Sequence, residues 1–112
     1  MEDVDIQLTC RHCELSDDLR DYVGRKMERV LRHFDGVHSV EVILSAQGAI
    51  WTAEMIVGTV RGQRCVAEGT GDDVFAAVDL AADKMDRQVQ KLKGKLREHY
   101  GKGLEGPSGA GG

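Results

Sequence analysis

Two periods of apolar spacing divide the chain. Val4, Ile6 and Leu8 alternate with Asp5 and Gln7, the period-two signature of a strand with one buried face, over about 3–9. Leu19, Val23, Met27, Val30 and Phe34 then recur at steps of three and four, predicting a helix over about 17–34. Ser16 is suited to accept from the free amides of that helix, Asp17 and Asp18 set negative charge at its positive end, and Gly36 offers the left-handed residue that ends it. Val40, Val42 and Leu44 return to period two, as do Trp51, Ala53, Met55 and Val57 over about 50–58, with Gln47-Gly48 as the turn between them. Trp51 falls in the core register. After a turn from Gly58 to Gly62, Gln63, Cys65 and Ala67 alternate with Arg64, Val66 and Glu68 in a fourth strand. Asp72 or Asp73 caps a second helix whose apolar face is Val74, Val78, Ala81, Met85, Val89, Leu92 and Leu96, about six turns long.

The order strand-helix-strand-strand-strand-helix predicts an α+β fold. A helix between the first two strands implies that they are parallel and joined by a right-handed crossover, while the later strands form antiparallel hairpins. Each helix has one apolar stripe and the strands alternate, whereas a sheet covered on both sides would show continuous apolar strands. The expectation is a two-layer sandwich, a four-stranded mixed sheet with both helices packed on one face. From Gly101 onward six of twelve residues are glycine, so the domain is expected to span 1–100 and a flexible tail 101–112.

Composition narrows the chemistry. At 112 residues, 41% hydrophobic and 30% charged, the chain is an ordinary single globular domain. No apolar run approaches the roughly 18 residues of a membrane span, and the first residues are acidic rather than signal-like. A cytoplasmic location without a membrane partner is expected. Cys10, Cys13 and Cys65 make an odd count in a chain with no export signal, so reduced thiols are expected rather than a disulfide framework. Cys10-Arg11-His12-Cys13 lacks the further ligands of a zinc site, and its first cysteine does not open a helix as a thioredoxin-like pair requires. Both are read as plain loop thiols, dispensable for binding, and Cys65 as a small buried hydrophobe. Local spacing supports no Ser-His-Asp or Cys-His arrangement, and no phosphate-cradling glycine loop opens a helix. Glu41, Glu54 and Glu68 are read as a solvated strand face. The chain is expected to be no enzyme, with no catalytic residue, metal or cofactor.

Charge is unevenly placed. The net charge is -4, yet residues 25–34 hold four basic side chains against one acidic, and residues 84–102 hold seven against two. Lys84, Arg87, Lys91 and Lys95 fall at steps of three, four and four, and Lys26, Arg29 and His33 do the same on the first helix, with Arg25 and Arg32 beside them. Two packed helices are therefore expected to line a shared cationic groove. Lysines and arginines late in a helix also favour the macrodipole on any solvated face. Two such stripes in an otherwise acidic chain point instead to a polyanion approached from one side. Lys26, Arg29, Arg32, Lys84, Arg87, Lys91 and Lys95 are the candidate polyanion-binding residues, with Arg25, His33 and Lys93 as a second set.

Several blocks resemble the ribosome hibernation promoting factors, a family that includes ribosome-associated inhibitor A. They are Arg11-His12, residues 15–23 (Leu-Ser-Asp-Asp-Leu-Arg-Asp-Tyr-Val), Arg32-His33-Phe34-Asp35, residues 73–79 (Asp-Val-Phe-Ala-Ala-Val-Asp) and residues 83–89 (Asp-Lys-Met-Asp-Arg-Gln-Val). The resemblance covers about residues 3–99 and implies the same strand-helix-three-strand-helix fold. It implies binding to the small ribosomal subunit and its rRNA, in the channel for messenger and transfer RNA, inhibiting translation under stress or in stationary phase. Basic family positions match Lys84, Arg87 and Lys91 on the second helix, Lys26, Arg29 and Arg32 on the first, and Arg11 in a loop. Cys10 and Cys13 depart from the family, which more often has glycine and an aliphatic residue there. The glycine-rich end resembles the short form without a dimerisation domain, which implies a free monomer and allows another hibernation factor as partner. Two rival readings are a general double-stranded RNA-binding module and a protein-interaction module for a stress or transcription regulator. The first carries lysines at the start of its last helix, where this chain has Asp72-Asp73-Val74-Phe75.

Overall fold

The structure, a computed structural model, describes residues 6–32 and 36–101, with side chains as far as residue 94. The elements are β1 (Ile6–Arg11), α1 (Asp17–Leu31), β2 (Val37–Gln47), β3 (Ile50–Thr59), β4 (Arg64–Gly71) and α2 (Val74–Gly101). They form an α+β sandwich of a four-stranded sheet, ordered β1-β2-β3-β4, and a helical layer. β1 pairs with β2 in parallel, and both later pairings are antiparallel, as the inserted helix requires. Gln47 pairs with Ile50, leaving Gly48 and Ala49 as a two-residue turn with Gly48 at φ 63°, a left-handed position glycine adopts at little cost.

One face of the sheet is covered. Val40, Val42, Leu44, Ala53, Met55, Val57, Cys65 and Ala67 meet Leu19, Val23, Met27 and Val30 of α1 and Val74, Ala77, Val78, Ala81, Met85 and Val89 of α2 in a single core. Trp51 packs against that core half-buried. The alternate residues lie on the uncovered face, where Glu54 stands directly opposite Glu68 and Glu41 lies opposite Ile56. α2 comes so close to β4 that a Cβ at Gly69 would sit 2.5 Å from the Ala81 nitrogen and 2.6 Å from the Ala77 oxygen. Lys84 Nζ donates to the Glu68 carbonyl at 3.0 Å and Gln88 Nε2 to the Val66 carbonyl at 2.7 Å. These bonds occupy carbonyls along the free edge of β4, which would otherwise invite another strand.

Local chemistry sets the helix ends. Ser16, extended at φ -91° and ψ 165°, accepts from the Leu19 amide at 3.1 Å. Asp73, of the two candidate caps, accepts from the Ala76 amide at 2.9 Å. The end of α1 differs from the sequence expectation. The helix stops at Leu31 with Arg32 as a right-handed C-cap, and Gly36 lies in the turn just before β2, its carbonyl accepting from the Val60 amide at 2.8 Å. The expected core residues Val4, Phe34 and Leu96 lie outside the described side chains, as does the tail from 102 onward.

The expectation of reduced loop thiols fails at two positions. Cys10 sits within β1, and Cys10 and Cys13 are joined in a disulfide with Cα atoms 5.5 Å apart. The odd cysteine count concealed this because only neighbours are paired. His12 takes φ 62° and turns the chain back. Cys65 is free and buried, and burial raises its pKa, keeping it a thiol.

Candidate nucleic-acid interface

Contacts between the helices advance in step along both. Tyr22 meets Phe75 ring edge to face at 4.9 Å and donates its hydroxyl proton to Asp79 at 2.5 Å. Lys26 pairs with the same Asp79 at 3.0 Å. One turn further, Lys26, Arg29 and Val30 line a shallow groove with Ala82, Asp83 and Asp86. The two helices therefore run side by side in the same direction. Asp17, Asp18, Asp72 and Asp73 start them at one end, while Arg25, Arg29 and Arg32 on α1 and Lys84, Arg87, Lys91 and Lys93 on α2 are exposed towards the other. Charge is polarised along the helix axes, aligned with both macrodipoles.

The shared cationic groove is not what packing makes. The groove is lined by cations of α1 and carboxylates of α2. Asp79, Asp83 and Asp86 recur at steps of four and three, forming a flank of α2 as regular as the lysine stripe. That acidic flank turns to α1, where Coulomb attraction favours it. Lys84 reaches the opposite way, to the β4 edge. The surface thus carries two cationic strips, Arg25, Arg29 and Arg32 on α1 and Lys84, Arg87 and Lys91 on α2, on either side of an acidic seam.

Asp79 is the centre of the seam. The Tyr22 hydroxyl holds its pKa below the usual carboxylate range, with the Lys26 ammonium acting the same way against partial burial. The bond to Asp79 raises both Tyr22 and Lys26. Arg25 and Lys26 also approach the Tyr22 ring, at 5.9 and 5.5 Å from its centroid. Sequence reasoning passed over this cluster, although the spacing of Asp79, Asp83 and Asp86 was readable. Lys26 is thereby committed to a helix-helix contact as well as being an RNA candidate.

The remaining candidates are dispersed. Arg11 is exposed but ends β1, opposite Ser45 and at the acidic end of the helices. His33 and the Lys95 side chain lie outside the described residues. Among the described residues there is no group of three or more side chains suited to hold a metal ion, and no helix long and apolar enough to cross a membrane.

Residues 6–97 match the family described as Sigma 54 modulation protein / S30EA ribosomal protein. The chain belongs to this family. A ribosome hibernation promoting factor of Azotobacter vinelandii is 39% identical over 93 residues, covering 83% of this chain and 86% of that protein. The factor of that name from Escherichia coli strain K12 is 31% identical over 94 residues, covering 84% of this chain and 98% of its own. Among solved structures, the Thermus thermophilus Protein Y N-terminal domain superposes with a TM-score of 0.72 at 33% identity, covering 81% of this chain and 99% of that one. A ribosomal subunit interface protein from Coxiella burnetii gives 0.74 at 25% identity, covering 80% and 97%. The S30EA membership and these neighbours carry the same α+β sandwich.

Proposed function

We propose that this S30EA-family chain is a cytoplasmic ribosome hibernation factor that binds the small subunit in the messenger and transfer RNA channel and inhibits translation under stress. The observation that carries this reading is the gathering of Arg25, Arg29, Arg32, Lys84, Arg87 and Lys91 towards one end of the helical layer of an otherwise acidic protein. Such a pole steers the chain towards rRNA phosphates in one orientation, and the bulk of the domain excludes other ligands of the channel. Steric exclusion needs no catalytic group, so the protein acts without enzymatic chemistry. The names of the curated relatives support the ribosomal partner. Free in solution the chain is a monomer, and a second hibernation factor is a candidate partner on the ribosome.

Sedimentation tests this directly. The protein should co-migrate with isolated small subunits, leave them as salt rises, and reduce cell-free translation in proportion to occupancy. A protein that stays at the top of the gradient at low salt, or binds naked duplex RNA equally well, would overturn the reading.

A further inference from the structure

Among the described residues, the Cys10–Cys13 disulfide is a piece of chemistry that the proposed ribosome binding does not absorb. It lies at the end opposite the cationic pole and closes the ring Cys10-Arg11-His12-Cys13 where β1 leaves the sheet. We infer that Cys10 and Cys13 are a reversible thiol–disulfide site, oxidised by a low-molecular-weight disulfide, that sets the order of the loop leading into α1. The inference rests on the proposed ribosomal function for one point only, that the chain works in the cytosol. Disulfides of that compartment are commonly transient or redox-sensing rather than structural.

Three features carry it. The Cα separation of 5.5 Å lies in the range a disulfide spans without backbone movement. The reduced form is accommodated too, because Cys13 Sγ lies 3.8 Å from the Leu44 carbonyl, which can accept the thiol proton. His12 within the ring is held at φ 62°, a left-handed conformation that costs a non-glycine residue energy. Opening the ring frees His12 to return to an ordinary region. Arg11 and His12 are exposed, so the redox state governs how this loop is presented. Cys65 is buried on the covered face and takes no part.

The step is ordinary exchange. One protein thiolate attacks a sulfur of the small disulfide and expels a thiolate, giving a mixed disulfide. The second protein thiolate attacks the protein sulfur and expels the other small thiolate. Two protein thiols lose two electrons in total, the small disulfide gains them, and the two protons pass to the departing thiolates.

The test uses the full chain without ribosomes, so its outcome is separate from that of ribosome binding. The protein is equilibrated at rising ratios of glutathione disulfide to glutathione, alkylated and weighed. Alkylated thiols should fall from three to one, with no glutathione retained, and return to three when the ratio is reversed. Amide exchange across residues 11–15 should be roughly tenfold slower in the oxidised form, on the scale of the entropy of closing so short a ring. The C10S/C13S double variant should keep one thiol throughout and show no change in exchange. Three thiols at every ratio, a stable glutathione adduct, a linked dimer, a disulfide that excess glutathione does not open, or equal exchange in both states would each overturn the inference.

Discussion

Tyr22 and Lys26 lie one turn apart on α1 and both reach Asp79 on α2, so one carboxylate ties the helices together. The Asp79 side chain is 47% exposed, and solvent screening keeps the ion pair at the low end of its range. Asp79→Asn should therefore lower stability at neutral pH by only about 1 kcal/mol, most of it through the hydrogen bond. The sign follows from the shifts. The folded Asp79 pKa is lowered, so its contribution is complete above the unfolded value and is lost as pH falls through the folded one. The folded Lys26 pKa is raised, so its contribution is complete below the unfolded value and is lost as pH rises through the folded one. Urea melts across pH should show the variant with a flatter acid limb, and an unchanged limb would remove Asp79 from the account. This cluster was hidden from the sequence for a physical reason. The spacing of Asp79, Asp83 and Asp86 defines a flank, as does that of Lys84, Arg87 and Lys91, but spacing cannot say which flank meets α1. The cysteine pair was hidden similarly, since its closure depends on the turn at His12 rather than on any count of thiols.

At the scale of elements, small residues decide how the helices lie. Gly69 faces the α2 backbone at Ala77 and Ala81, and this close seat helps fix the rotation of α2, sending Lys84 and Gln88 over the β4 edge. Gly69→Ala should cost about 1–3 kcal/mol by overpacking against backbone that cannot swing aside, and lower Tm by about 4–8 °C per kcal/mol. A thermal melt unchanged from the parent would mean that α2 sits further from the sheet. The elements themselves were legible, because the apolar period switches cleanly between two and about 3.6. Strand pairing followed from the helix between β1 and β2 and from Gly48 at the hairpin. The end of α1 was misplaced because Gly36 signals a helix stop by composition, while it lies in the turn leading into β2, its carbonyl held by the Val60 amide just past β3.

Over the whole molecule, two parallel helices with acidic starts and basic ends make a body with a charge axis. The stripes Lys26-Arg29 and Lys84-Arg87-Lys91 were legible as stripes, and what packing adds is the acidic seam between them. RNA approaching this pole should therefore engage two strips rather than fill one groove. As a monomer, the free protein should give a mass near 12.3 kDa in sedimentation equilibrium, and a concentration-independent mass near twice that value would contradict the proposed stoichiometry. The claim that the helical pole is the binding surface is tested most directly by the salt dependence of affinity for isolated small subunits. With about five or six phosphates neutralised, log affinity against log salt should have a slope of about -4 for the wild type, using the single-strand coefficient. Replacing Lys84, Arg87 and Lys91 together by glutamate should flatten that slope and abolish binding at moderate salt, while glutamine at Glu41, Glu54 and Glu68 on the open sheet should leave it unchanged. A helix variant that binds with the wild-type slope, beside a sheet variant that fails to bind, would place the interface on the sheet and contradict the account.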